Sequence, residues 1–257
     1  MIGEKGTGCM PEIFAFAGKG GVGKTTLGGL LIRYLTEVRK GGPVLAVDAD
    51  PNSNLNEVLG MEAYVTIGDA RETMKTEVPT GMTKETWMEL KVHESVAEGR
   101  GFDLLVMGRP EGQGCYCAAN SLVKKHIDIL KENYSFVVVD NEAGMEHMSR
   151  LVTTDVDHLF VVSDGTARGI MTAGRILDLV GELKLNIGSS HVVVNRVQAE
   201  RADEVKRLVK ERGLEIGGIV HDDSSLFALD AEGGSVFSLS QESRALSDAY
   251  DIFNKTT

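Results

Sequence analysis

Short apolar runs recur along the chain at Ile13–Ala17, Val44–Val47, Phe102–Met107, Phe136–Val139, His158–Val162, His191–Val194 and Ile216–Val220. They are nearly unbroken in hydrophobicity and rich in β-branched residues, the pattern of strands covered on both faces. Helix-length stretches separate most of them. This alternation predicts an α/β fold, a doubly wound, mostly parallel sheet with helices on both faces and its ligand at the carboxyl ends of the strands. The stretch from Tyr64 to Gly101, with Pro79, Gly81 and many charges, is the least regular and reads as an inserted helical excursion. No internal repeat is visible.

Composition narrows the function classes. A chain of 257 residues, 42% hydrophobic, suits one large α/β domain with a sizeable core. The formal net charge of −11 argues against a nucleic-acid surface, which needs clustered Lys and Arg. No apolar segment approaches the roughly 18 residues of a membrane span. Three cysteines cannot make a disulfide framework. Met1 to Met10 is glycine-rich and lacks the apolar core of a signal peptide. The expectation is a cytoplasmic protein that touches neither membrane nor nucleic acid.

The strongest chemical signal is Gly18-Lys19-Gly20-Gly21-Val22-Gly23-Lys24-Thr25-Thr26, placed after the first apolar run and before a helix-like segment. It satisfies G-x-x-x-x-G-K-[ST] in the strand–loop–helix context that motif requires. Glycines let backbone N–H groups turn inward on phosphate, and the following helix N-terminus adds a favourable field. Lys24 would reach the terminal phosphates, and the Thr25 hydroxyl would hold Mg²⁺. Residues 1–11 then read as a short loose extension and 12–257 as a single P-loop ATPase domain.

Lys19, directly after the first glycine, makes the stretch resemble the deviant P-loop family, K-G-G-x-x-G-K-[ST], which holds nitrogenase iron protein, MinD, ParA and the CooC-type nickel-insertion ATPases. The resemblance implies a homodimer facing across two ATP molecules, each subunit lending Lys19 to its partner's phosphates as an arginine finger would. Asp140, ending the run Phe136–Val139, falls where the family's Walker B acid binds Mg²⁺, and Asn141–Gly144 resembles its second switch. Val47–Pro51 resembles the first switch, in which Asp50 is expected to position the attacking water and Asp48 to support Mg²⁺. Asn195, followed by Arg196, resembles the residue that pairs with the adenine edge. Relatives often place a proline after the later strand, whereas this chain has Val220-His221-Asp222-Asp223.

Cys115 and Cys117 form a C-x-C pair too short for a sound disulfide. In an extended loop, residues two apart can point their sulfurs the same way, so a symmetric dimer would offer four thiolates. Four thiolates suit tetrahedral zinc, planar nickel or an iron–sulfur cluster, and geometry alone does not choose. The pair, with Asn120-Ser121 and Ala143-Gly144-Met145-Glu146-His147, closely resembles the CooC type. That resemblance spans Ile13 to about Phe253. It implies ATP/ADP and Mg²⁺ as cofactors, Ni²⁺ or Zn²⁺ bridged between subunits, and carbon monoxide dehydrogenase as the client of an ATP-driven metallochaperone. Rival readings are an iron–sulfur cluster-bridged reductase, a maturation ATPase for acetyl-CoA synthase, and a positioning ATPase of the MinD or ParA kind. His126 is expected at a solvated position on the helix after the cysteines.

Overall fold

The computed structural model describes residues 10–50, 52, 54–62, 65–74, 76–108, 117–141, 155–182 and 185–256. Eight strands form one sheet: β1 (Glu12–Gly18), β2 (Val44–Asp48), β3 (Val96–Glu98), β4 (Phe102–Val106), β5 (Phe136–Asp140), β6 (Asp155–Asp164), β7 (Asn186–Val197) and β8 (Ile216–His221), in the order β3-β4-β2-β5-β1-β6-β7-β8. Every neighbouring pair is parallel except the short edge strand β3, antiparallel to β4. The doubly wound sheet expected from the apolar runs is therefore present.

Helices cover both faces. On one side lie α3 (Ile67–Thr73), α4 (Lys84–Glu94), α5 (Cys117–Lys131), α6 (Ala167–Glu182) and α7 (Ala202–Glu211), packed on a core that includes Ala15, Val47, Val139 and Val161. On the other, α1 (Lys24–Tyr34), α2 (Leu55–Leu59) and α9 (Arg244–Thr256) cover Phe14, Phe16, Val138 and Phe160. Alternate residues of each central strand thus feed opposite cores, which is why those strands read as continuous apolar runs.

α1 is buried around most of its circumference, and it extends through a π turn at Leu35–Arg39. The amphipathic stripe of α9 (Ala245, Leu246, Ala249, Ile252, Phe253) is spent against the sheet core. Between β8 and α9 lies α8 (Ser224–Ala231), which has no fully buried residue. Among the described residues, no helix is long and apolar enough to cross a membrane.

His126 departs from expectation. It is only 6% exposed, because it shares the α5 stripe of Val123, Ile127 and Leu130 at helical spacing. Its Nε2 is buried with no partner among the described residues.

Candidate functional site: a nucleotide cleft at the carboxyl ends of the strands

β1 ends at Gly18 and the chain turns through residues 19–23 into α1. Gly23, at the N-cap, has φ 93, a conformation that a side chain would strain. An added Cβ there would stand 2.4 Å from Asn195 Nδ2. α1 has no side-chain cap and no acidic residue in its first turn. Its leading N–H groups and the positive end of its dipole are left for an anion.

Lys24 is only 7% exposed, and its Nζ donates to the Lys19 carbonyl at 3.3 Å. A buried ammonium with one neutral acceptor is short of partners, and phosphate oxygens would supply them. A cleft of about 470 Å³ opens over the loop, lined by Gly20, Gly21, Gly23, Lys24, Thr25 and Thr26 on one side and by Asp50, Asn52, Asn54 and Arg196 on another. Val22, within the same loop, is buried. Lys19 is exposed and is not among the residues lining this cleft.

The carboxylates expected at the strand ends come together. Asp48 and Asp140 are register partners on β2 and β5. Asp140 is 1% exposed; burial pushes its carboxyl up to about 7, opposed by a hydrogen bond from the Thr25 hydroxyl and the Lys24 charge. Its Oδ1 has no partner among the described residues. Leaving such an atom dry and unpaired costs about 1–3 kcal/mol. An orphaned carboxylate oxygen beside a threonine hydroxyl is a donor set for a hard divalent cation, so these residues fit magnesium.

Asp48 is differently employed. Its Oδ1 accepts the Asp50 N–H at 3.1 Å and its Oδ2 the Leu55 N–H at 3.0 Å. It therefore fastens the loop after β2 and the start of α2, leaving Asp50 to line the cleft. Burial raises the Asp48 carboxyl to about 6, against those two backbone hydrogen bonds.

Asn195, near the end of β7, is 5% exposed and donates through Nδ2 to the Val22 carbonyl at 2.9 Å. A carbonyl only accepts, so this bond fixes the amide's orientation and leaves Oδ1 for another donor. Arg196 follows with φ 57, unusual for a side-chain-bearing residue. Its guanidinium donates to the Gly21 carbonyl at 3.4 Å. A second cleft of about 300 Å³ begins here, lined by Thr26, Asn195, Arg196, His221, Asp222, Asp223, Leu226, Phe227 and Asp230.

The loop that follows β8 is tethered. His221 donates its backbone N–H to Asp248 Oδ2 at 2.9 Å, its Nδ1 lies 2.7 Å from the same oxygen, and the Asp222 N–H donates to the Val197 carbonyl. Asn52, Asn54, Phe227 and Asp230 line the clefts without having been singled out in the sequence.

Cys115 lies outside the described residues, as do 142–144 of the expected second switch; Cys117 opens α5, but its side chain is not described. Among the described residues no group of three or more His, Cys, Asp or Glu is placed to hold a metal.

Residues 13–236 match the family described as the CobQ/CobB/MinD/ParA nucleotide binding domain. An uncharacterized ATP-binding protein of Methanocaldococcus jannaschii is 41% identical over 248 residues, covering 95% of this chain and 97% of that one. The carbon monoxide dehydrogenase accessory protein CooC of Rhodospirillum rubrum is 31% identical over 244 residues, covering 90% and 91%. Among solved structures, a chain of the MinC:MinD cell division protein complex of Aquifex aeolicus overlays with a TM-score of 0.71 at 22% identity, over 95% of each chain. The Pyrococcus horikoshii MinD complexed with Mg-ADP gives 0.70 at 18% identity, over 96% of each. With a glycine loop under an uncapped helix, strand-end carboxylates beside it and these relatives along nearly its whole length, the chain belongs to the CobQ/CobB/MinD/ParA nucleotide-binding family.

Proposed function

We propose that this protein is an ATPase whose nucleotide-linked dimer acts as a metallochaperone, carrying nickel at paired Cys115–Cys117 loops for maturation of carbon monoxide dehydrogenase. The observation carrying the ATPase reading is the unpaired Oδ1 of buried Asp140 beside Thr25 and Lys24. Support for the cargo comes from the C-x-C pair and from the 31% identity to the accessory protein CooC.

In this reading the backbone of Gly20 to Gly23 and the Lys24 ammonium bind the β- and γ-phosphates. Thr25 and Asp140 would hold magnesium, which supplies neutralisation of charge on the phosphate oxygens. Asp50, on the loop fastened by Asp48, orients the attacking water and takes its proton. Lys19, exposed and not among the residues lining either cleft, reaches the partner's phosphates and stabilises charge as the γ-phosphoryl bond breaks. ATP then favours the closed dimer that brings two pairs of thiolates together, and hydrolysis reopens it. A membrane-positioning role finds no support in α9, whose apolar stripe is already buried.

The test is an anaerobic titration with Ni²⁺, following thiolate-to-metal absorption and dimer mass, against the Cys115→Ala/Cys117→Ala double variant. One metal per dimer, absent in the variant, is expected. No binding, or a brown protein carrying labile sulfide, would overturn the nickel reading and favour an iron–sulfur protein.

A further inference from the structure

Phe227 is an aromatic side chain that folding alone does not account for. It is 73% exposed on α8, a helix whose other large apolar residues, Leu226 and Leu229, pack partly against the core. Phe227 lies instead along the second cleft, facing the region of Asn195, Arg196 and Thr26. Asp230, one turn further along α8, lines both clefts, as do Thr26 and Arg196. The α8 face bearing Phe227 therefore runs beside a groove continuous with the phosphate cradle.

This helix is held in place. Asp223 caps it by accepting the Ser225 and Leu226 N–H groups, and the same carboxylate accepts the Ser243 hydroxyl at 2.7 Å and the Ala245 N–H at 3.0 Å at the start of α9. Although burial pulls the other way, these hydrogen bonds hold the carboxyl well below the usual range. A flat, apolar, exposed ring on a capped helix beside a polar cleft has the chemistry of a base platform, because every purine presents a π face.

The geometry points to Phe227 as the platform on which the nucleotide's purine base stacks, with Asn195 Oδ1 accepting from the base's exocyclic amine. This inference rests on the ATP reading above and adds a residue to it.

Calorimetric titration with MgADP and, separately, with magnesium tripolyphosphate separates the two. Phe227→Ala is expected to weaken MgADP about tenfold while leaving tripolyphosphate unchanged, and Phe227→Tyr is expected to keep the wild-type affinity for both. Unchanged MgADP affinity in Phe227→Ala, with the wild type binding normally, overturns the platform alone. An equal loss of both ligands also overturns it, since the ring would then act through the fold. A wild-type protein that binds neither ligand overturns the nucleotide reading itself.

Discussion

Asp48 and Asp140 stand opposite one another in the register of adjacent central strands, both buried and both with carboxyls raised, yet only Asp48 has its two oxygens satisfied by backbone N–H groups. One acid is built into the scaffold and the other is left short of a partner. The difference separates a residue that fastens the loop after β2 from one with an oxygen left unpaired among the described residues.

Asp140 should accordingly weaken the empty protein. Its folded pKa, raised from 3.8 to about 7, means the native state holds a proton that the unfolded chain has released. Stability contributed by this group is present below about pH 4 and is lost as pH rises toward 7. Asp140→Asn removes that loss, and at pH 8 the apo protein is expected to gain at most about 4 kcal/mol, the gain shrinking to nothing near pH 4. Urea unfolding at both pH values checks it. The same variant should lose the magnesium dependence of nucleotide binding; a variant less stable than wild type at pH 8 would refute the account.

Lys24 and Lys19 should separate by complementation. Lys24→Ala is expected to abolish nucleotide binding, since a buried ammonium is removed from the phosphate site. Lys19→Ala should bind ADP normally but fail to hydrolyse ATP. Mixing the two inactive variants should restore activity, because a dimer can pair an intact Lys24 with the other subunit's Lys19. Steady-state phosphate release from the mixture is the readout, and an inactive mixture excludes a role across the dimer.

Gly23→Ala tests the joint between cradle and base pocket. The residue's φ of 93 disfavours a side chain, and the new methyl would meet Asn195 Nδ2. The substitution should cost roughly 1–3 kcal/mol of stability and break the Asn195–Val22 hydrogen bond, weakening ADP more than tripolyphosphate. Equal affinity for ADP before and after substitution would show that Asn195 does not serve the base.

The sequence makes the cradle and the central strands legible because both are local. A glycine loop needs only neighbouring residues, and strands such as Phe136–Val139 are apolar throughout because two cores claim alternate side chains. β7 is longer than its apolar run suggests: from Asn186 to His191 exposed residues alternate with half-buried ones, so the run of valines marks only its covered end. The three residues of β3 carry no periodicity to read. The second cleft is different in kind, since Asn195 and Phe227 come to line it together only after β8 has returned the chain there, and no spacing announces that. His126 was readable: it falls three residues after Val123 and four before Leu130, within the buried stripe of α5.

His191 gives a titration of opposite sign to that of Asp140. Burial lowers its pKa, and nearby His158 adds to this while Glu215 opposes it. His158 also approaches Glu12 and Ser189 at 3.0 Å, and Ser189 Oγ lies 3.0 Å from His191 Nε2. Because the folded state favours neutral His191, the unfolded chain takes up the proton first as pH falls through about 6.5. Stability from this group is therefore present above that value and is lost on acidification through the lowered folded pKa. His191→Gln keeps a polar side chain without the titration, so its unfolding free energy should vary less between pH 7 and 5 than that of the wild type. Parallel slopes for the two proteins in denaturant titrations across that range would show that His191 does not carry the acid sensitivity, and would leave the remaining carboxylates and histidines to account for it.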